Sequence, residues 1–270
     1  MEWGLWWQGI IGTRSDELLK KIRFIQSDTL SMVQGSMTAG CTTSEASNEA
    51  VRICCDGLVE RLLPVKTALV EQTGPAYLQS LNMPVSSLYL PDDSTGEYIN
   101  YGVGASEVEI NVLTGETTIL RTDIIYDCGK SLNPAVDLGQ IEGAFVQGLG
   151  FFMLEELLMN SDGLVVTDST WTYKIPTVDT IPRQFNVEIL NSGQHKNRVL
   201  SSKSSGEPPL LLAASVHCAV RAAVKEARKH ILTWNSNQEG TDTYFELPVP
   251  ATMSVVKEFC GLDVVEKYLG

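Results

Sequence analysis

The sequence has no Cys-x-x-Cys pair: its six cysteines, Cys41, Cys54, Cys55, Cys128, Cys218 and Cys260, are scattered over 270 residues. Neither an iron–sulfur cluster nor a structural zinc site has its usual local framework of thiolates. Histidine is equally sparse. His195, His217 and His230 lie far apart with no metal-ligand spacing to Asp, Glu or Cys, and His217 falls in an apolar helical stretch where a core role is expected. No G-x-S-x-G, phosphate-loop or dinucleotide fingerprint occurs, so serine-hydrolase, kinase and Rossmann-dehydrogenase chemistry lack support. Glu155 and Glu156 are adjacent and would not share a helix face, so no carboxylate dyad is expected there.

Basic residues are also in deficit. Twenty Lys and Arg against 33 Asp and Glu give a formal charge of −13, a field that repels phosphate backbones and anionic lipid surfaces. No nucleic-acid or membrane partner is expected, although an acidic surface is also an ordinary means of keeping a protein dispersed. The longest uncharged apolar run, Pro208 to Val220, is shorter than the roughly 20 residues that span a bilayer. The N-terminus lacks the basic and then apolar stretch of a secretory signal, which makes a reducing, cytoplasmic compartment the expectation. The 43% apolar content is enough for a sizeable core and excludes general disorder.

Periodicity divides the chain unevenly. Three tryptophans crowd Trp3 to Trp7, and Gly9 and Gly12 interrupt any helical pattern, so residues 1–16 read as an atypical stretch. Thr42-Thr-Ser-Glu45 has the form of a capping box, and the helix it opens is predicted to run to Leu63, with Pro64 as its end. Pro91 to Gly96 is a loop by composition. Period-two alternation then predicts a β-hairpin, Val103–Leu113 and Thr117–Tyr126, around the turn residues Thr114-Gly-Glu116. A helix from Val136 to Leu158, a strand from Gln184 to Leu190, a helix from Pro208 toward Ile231 and a closing helix over Ser254–Cys260 follow. Asn235 to Asp242 is a polar linker. The irregular alternation of elements predicts an α+β class, mixed sheets with packed helices.

Three segments exceed what packing needs. Gly35 to Ser44 is small and hydroxyl-rich and leads into a helix N-terminus, where free N–H groups and the dipole favour an anion such as a phosphate; by composition alone, Ser and Thr acting only as caps is the reading ahead, because they dominate helix starts. Gly139, Gly143, Gly148 and Gly150 fall within one predicted helix, at about 1 kcal/mol each relative to alanine. That implies close approach of a backbone or a ligand, with Gln147 as the polar group best placed to meet it; glycines that only permit tight helix packing, with Gln147 facing solvent or capping a neighbour, explain the pattern equally. In Lys203-Ser-Ser-Gly-Glu207-Pro-Pro209 a carboxylate precedes two prolines at a helix entrance. The residue before a proline is expected to be extended, which would fix Glu207 as a general base requires. A charge that merely complements the helix dipole is the alternative.

At these segments the sequence resembles the molybdenum hydroxylases, the xanthine dehydrogenase and aldehyde oxidase family, and most of all the C-terminal part of plant aldehyde oxidases. The resemblance runs from about Glu17 to His230, through Arg23-Phe-Ile-Gln-Ser-Asp28, Thr38-Ala-Gly-Cys-Thr-Thr-Ser-Glu-Ala-Ser47, the stretch Ser131 to Gly148, Thr172-Tyr-Lys-Ile-Pro176 and Gly206-Glu-Pro-Pro209. It implies a partial molybdopterin-binding domain over residues 17–234, followed by a polar loop and tail helix over 235–270. By the same resemblance Glu207 is the catalytic general base, and Ala39, Gly40, Cys41 and Thr42 hold the pterin and its phosphate end. Gln147 and Ser205 are further cofactor contacts. Cys41 stands where the family more commonly has serine. The implied cofactor is molybdenum held by molybdopterin rather than by protein ligands. Full-length members also carry 2Fe-2S and FAD domains, for which this sequence has no sites. The implied activity is oxidation of a small-molecule aldehyde to a carboxylic acid, with water as oxygen source and O2 as final acceptor, in an enzyme that is typically a homodimer. The alternative is a truncated, inactive remnant that at most binds cofactor or dimerises with a full-length relative.

Overall fold

The structure, a computed structural model, describes residues 23, 25, 26, 28, 30, 40–70, 84–90, 98–193, 199–234 and 244–261. The N-terminal stretch 1–16, Ala39, the Pro91–Gly96 loop, His195 and the Asn235–Asp242 linker lie outside the described residues. The chain forms two compact units, Met1–Pro91 and Asp92–Gly270.

The first unit contains α1, Thr42–Val70. Its middle carries a charge ladder, in which Arg52 Nε donates to both Glu49 oxygens at 2.9 Å and Arg52 Nη1 to Asp56 at 2.7 Å. That hydrogen bonding, outweighing burial, holds the Glu49 carboxyl below its ordinary range. An extended segment runs beside the helix, with Ser87 Oγ donating to Ala50 O at 2.6 Å and Arg61 Nη1 to Pro84 O at 2.8 Å. The helix begins at Thr42 as predicted, but it continues past Pro64, which lies inside it. Proline removes one donor, the one aimed four residues back, and the turns after it still close.

The second unit is built on a three-stranded mixed sheet in the order β1-β2-β3, comprising Tyr101–Ile110, Thr117–Asp127 and Gln184–Leu190. β1 and β2 form the predicted antiparallel hairpin, with a bulge at Glu107/Val108. β3 lies parallel to β2, so the chain between them must cross over, and it does so through α2, Pro134–Leu149. The helix ends earlier than predicted. A π turn over Gly150–Leu154 follows, and Glu155 turns extended, its N–H bonded to Gly150 O at 2.8 Å and its carboxylate accepting from Tyr173 Oη at 2.6 Å. A tertiary hydrogen bond stops the helix where the apolar pattern would have carried it on. The prolines Pro208 and Pro209 open a 3-10 helix, Pro208–Ala213, which passes into α3, Ala214–Trp234. The closing helix α4 spans Met253–Phe259.

The core lies between sheet and helices. Ile124 and Tyr126 of β2, Ile141, Phe145 and Leu149 of α2, Val216, Val220 and Val224 of α3, and Val256 of α4 are all at most 2% exposed. The spacing of the α2 and α3 residues is the i, i+4 stripe of a helix with one buried face. Glycines let the 3-10 helix wedge into this arrangement. A Cβ at Gly102 of β1 would lie 3.2 Å from Leu212, and one at Gly148 of α2 would lie 2.3 Å from Leu210 O and 2.7 Å from Ala213 Cβ.

Candidate functional site

The end of β2 is re-entered by chain from far along the sequence. Lys203 N–H donates to Cys128 O and Lys130 N–H to Ser201 O, both at 2.8 Å, with Gly129 bridged to Ser202. Gly129 has φ +67°, and a Cβ there would stand 2.3 Å from Ser201 O, so the approach requires glycine. On the other strand of this small ladder Leu200 and Ser201 are also left-handed, at φ 54° and 60°, a conformation uncommon for a side chain as bulky as leucine.

From this ladder runs a strap of four buried polar residues, Ser202, Lys203, Ser204 and Ser205. Buried polar groups need partners, and those of the strap come from separate elements. Lys203 Nζ donates to Asp127 Oδ2 at 2.8 Å, its side chain fully buried. Ser204 O accepts from Tyr126 Oη at 2.8 Å and from Asn100 Nδ2 at 2.6 Å. Ser205 Oγ donates to Asp137 Oδ1 at 2.9 Å, and Asp137 Oδ2 accepts from Ser131 Oγ at 2.6 Å at the start of α2. Burial pushes the Asp127 carboxyl up, but Lys203, the Gly129 N–H and the Ser192 hydroxyl outweigh it and leave the carboxyl below its ordinary range. Burial first, and then the charge of Asp137, push the Cys128 thiol up to about 11, so this cysteine stays protonated at neutral pH and is no nucleophile.

The strap delivers Glu207. Its backbone is helical, φ −116° and ψ −49°, not extended as predicted. The wide φ relieves the clash with the Pro208 ring while the Glu207 carbonyl accepts the first 3-10 hydrogen bond, from Leu210 N–H at 3.1 Å. The Glu207 carboxylate is exposed and, among the described residues, has no hydrogen-bond or ion-pair partner. Gln147 is likewise exposed on α2 with its carboxamide unpartnered among the described residues. It stands on one face with Gly139 and Gly143 at i, i+4 spacing, and a Cβ at either glycine would meet nothing within 4 Å. The predicted close approach is therefore made at Gly148, by the backbone of the 3-10 helix that Glu207 opens. The face carrying Gly139, Gly143 and Gln147 is open.

Ser205, Glu207 and the α2 turn after Gln147 belong to the second unit; Gly40, Cys41 and Thr42 belong to the first, where Gly40 and Cys41 each have φ +58° just before α1. Asp127, Asp137, Tyr126 and Asn100, which hold the strap, were not anticipated from sequence. Their partners on the strap lie 68 to 104 positions away along the chain, beyond any local spacing. Within the second unit, these groups can receive a proton at one free carboxylate, donate and accept at one free carboxamide, and accept at a hydroxyl whose proton is already committed to Asp137. No group of three His, Cys, Asp or Glu that could hold a metal occurs among the described residues. Among the described residues, this unit offers a ligand the unpaired side chains of Glu207 and Gln147 and an open glycine face. A molybdopterin fits these residues.

Among solved structures the likeness is one of fold. The fold matches a reconstituted CO dehydrogenase from Oligotropha carboxidovorans with a TM-score of 0.53 at 18% identity, over 73% of this chain and 22% of that one. The two chains share a fold over this stretch. The sequence pattern of the molybdopterin cofactor-binding domain matches residues 15–182, more than half of the chain, and the chain belongs to that family. It is 87% identical to an indole-3-acetaldehyde oxidase of Arabidopsis thaliana over 96% of its length, 64% identical to an abscisic-aldehyde oxidase of the same plant and 60% to an indole-3-acetaldehyde oxidase of Zea mays. The chain spans about a fifth of the length of these relatives, 20%, 20% and 19% respectively. Among the described residues no helix is long and apolar enough to cross a membrane.

Proposed function

We propose that this chain is the part of an aldehyde-oxidase-like oxidoreductase that supplies the general base and part of the molybdopterin cradle. The observation that carries this reading is the exposed Glu207 carboxylate, unpaired among the described residues, at the end of a buried polar strap. When bound, the molybdenum cofactor supplies the two-electron oxidant. Glu207 takes a proton from the water-derived oxygen that attacks the aldehyde carbon, and its carboxylate oxygens are the proton's destination. Gln147 orients the cofactor through its free carboxamide. Ser205, its own proton given to Asp137, accepts from a donor of the pterin. Ala39, Gly40, Cys41 and Thr42 receive the anionic end.

The substrate in this reading is a small-molecule aldehyde and the product a carboxylic acid, with 2Fe-2S and FAD groups of a full-length enzyme passing the electrons to O2. The names of the relatives support the aldehyde substrate, and the sequence pattern supports the molybdopterin. The −13 charge supports a setting without nucleic-acid or membrane partners; a homodimer in the cytoplasm is part of the same proposal, by the resemblance to the family.

The experiment is metal analysis of the purified chain combined with aldehyde-dependent reduction of an artificial dye, in wild type and Glu207→Gln. The expected outcome is bound molybdenum in both and a kcat lowered about 10²- to 10⁴-fold in the variant, the usual contribution of a positioned base. Unchanged dye reduction in the variant would remove Glu207 from the chemistry. A protein that carries no molybdenum and reduces no dye would be a non-catalytic remnant.

A further inference from the structure

The strap raises a question that its hydrogen bonds alone do not answer. Serines can satisfy themselves at low cost, but a lysine ammonium with no exposed surface is costly to bury, and a buried ion pair is often no more stabilising than apolar residues of the same volume. What such a pair does well is fix a geometry. Lys203 carries its cation to Asp127 at the end of β2, its backbone N–H is bonded to Cys128 O, and its ammonium also lies 5.1 Å from the centre of the Tyr101 ring on β1. Asp127 is held in turn on its second oxygen by Gly129 N–H and Ser192 Oγ, each at 2.8 Å. The pair thus ties the strap to the most buried strand of the sheet, two residues before Ser205 and four before Glu207. The left-handed Leu200 and Ser201 just upstream are a conformation that persists only when the surroundings over-determine it.

We infer that Lys203 and Asp127 are positioning residues: their ion pair sets the register of the strap and thereby the place at which Glu207 and Ser205 are presented. The functional half of this inference rests on the reading of Glu207 given above; the structural half does not. Neither residue touches the reacting atoms.

The test reads the apo chain first. Amide hydrogen exchange of peptides covering residues 199–207 is compared, together with the thermal midpoint, in wild type, Lys203→Met and the double variant Asp127→Asn/Lys203→Met. The single variant leaves a buried carboxylate alone and loses thermal stability. The double variant removes both charges, keeps its midpoint, and exchanges the Ser204 to Gly206 amides about tenfold faster or more. Wild-type exchange at an unchanged midpoint in the double variant overturns the inference. Should both Met variants fail to fold, Asp127→Glu keeps the pair but lengthens it by one methylene, and unchanged strap exchange there overturns it equally.

The second readout is the molybdenum-loaded protein, where the double variant lowers kcat for dye reduction about tenfold with KM for the aldehyde within about twofold. Unchanged kcat in a variant whose strap exchanges faster also overturns the inference. If wild type carries no molybdenum, the proposed function falls, and the exchange comparison still decides the clamp.

Discussion

Single atoms decide several positions of this unit, and the glycines of α2 show how the same residue type can act in opposite ways. A methyl group added at Gly148 would stand 2.3 Å from Leu210 O, whereas one at Gly143 meets nothing within 4 Å. Gly148→Ala is therefore expected to cost about 1–3 kcal/mol through overpacking, more than the helix propensity it gains. Gly143→Ala should stabilise the chain by about 0.5–1 kcal/mol, since an exposed helix interior only gains from alanine. Urea unfolding of the two variants beside wild type checks both signs, and a stabilising Gly148→Ala would show that the wedge of the 3-10 helix is not tight. The sequence marks both glycines alike, as helix breakers in a helix. The partner atom that separates them comes from Leu210, and no local pattern carries that information.

Elements assemble the candidate site by a mixture of legible and illegible steps. The hairpin, the crossover helix and the strand after it were readable because alternation and helical period report the buried face directly. The end of α2 at Gly150 and the helical backbone of Glu207 were not, since a hydrogen bond from Tyr173 and one from Leu210 set them. Glu207, Gln147 and Ser205 could be picked out as residues of a resembling motif, but the Asp127–Lys203 pair inferred to position Glu207 and Ser205 joins parts of the chain 76 positions apart. This pair has a pH signature. The Asp127 carboxyl lies below its ordinary value in the folded chain, so its contribution is present above the unfolded carboxylate pKa of about 4 and is lost as pH falls through the lower, folded value. The stability difference between wild type and Asp127→Asn should be flat at neutral pH and shrink below about pH 4. Denaturant midpoints measured across that range test it, and a difference that stays constant down to pH 2 would mean that Asp127 is not the titrating member.

At the scale of the molecule, the buried hydrophobic cluster is contained in one unit. Its buried members run from Ile119 to Cys260, and the partly buried side chains packed against it begin at Val108; all of them fall within Asp92–Gly270. The first unit contributes α1, whose single buried described side chain is Glu45. A helix of this kind owes most of its stability to what it packs on, not to its own propensity. Removal of residues 1–91 should therefore leave a chain that still unfolds in one cooperative transition, because the residues that close the core remain. Under the proposed function its molybdopterin content should nonetheless fall, because Ala39, Gly40, Cys41 and Thr42, proposed to receive the anionic end, leave with the first unit. Differential scanning calorimetry and pterin content of the 92–270 chain beside the full chain measure the two effects separately. A non-cooperative melt would mean that the core depends on the first unit, and undiminished pterin content would place the anionic end of the cofactor on the second unit alone.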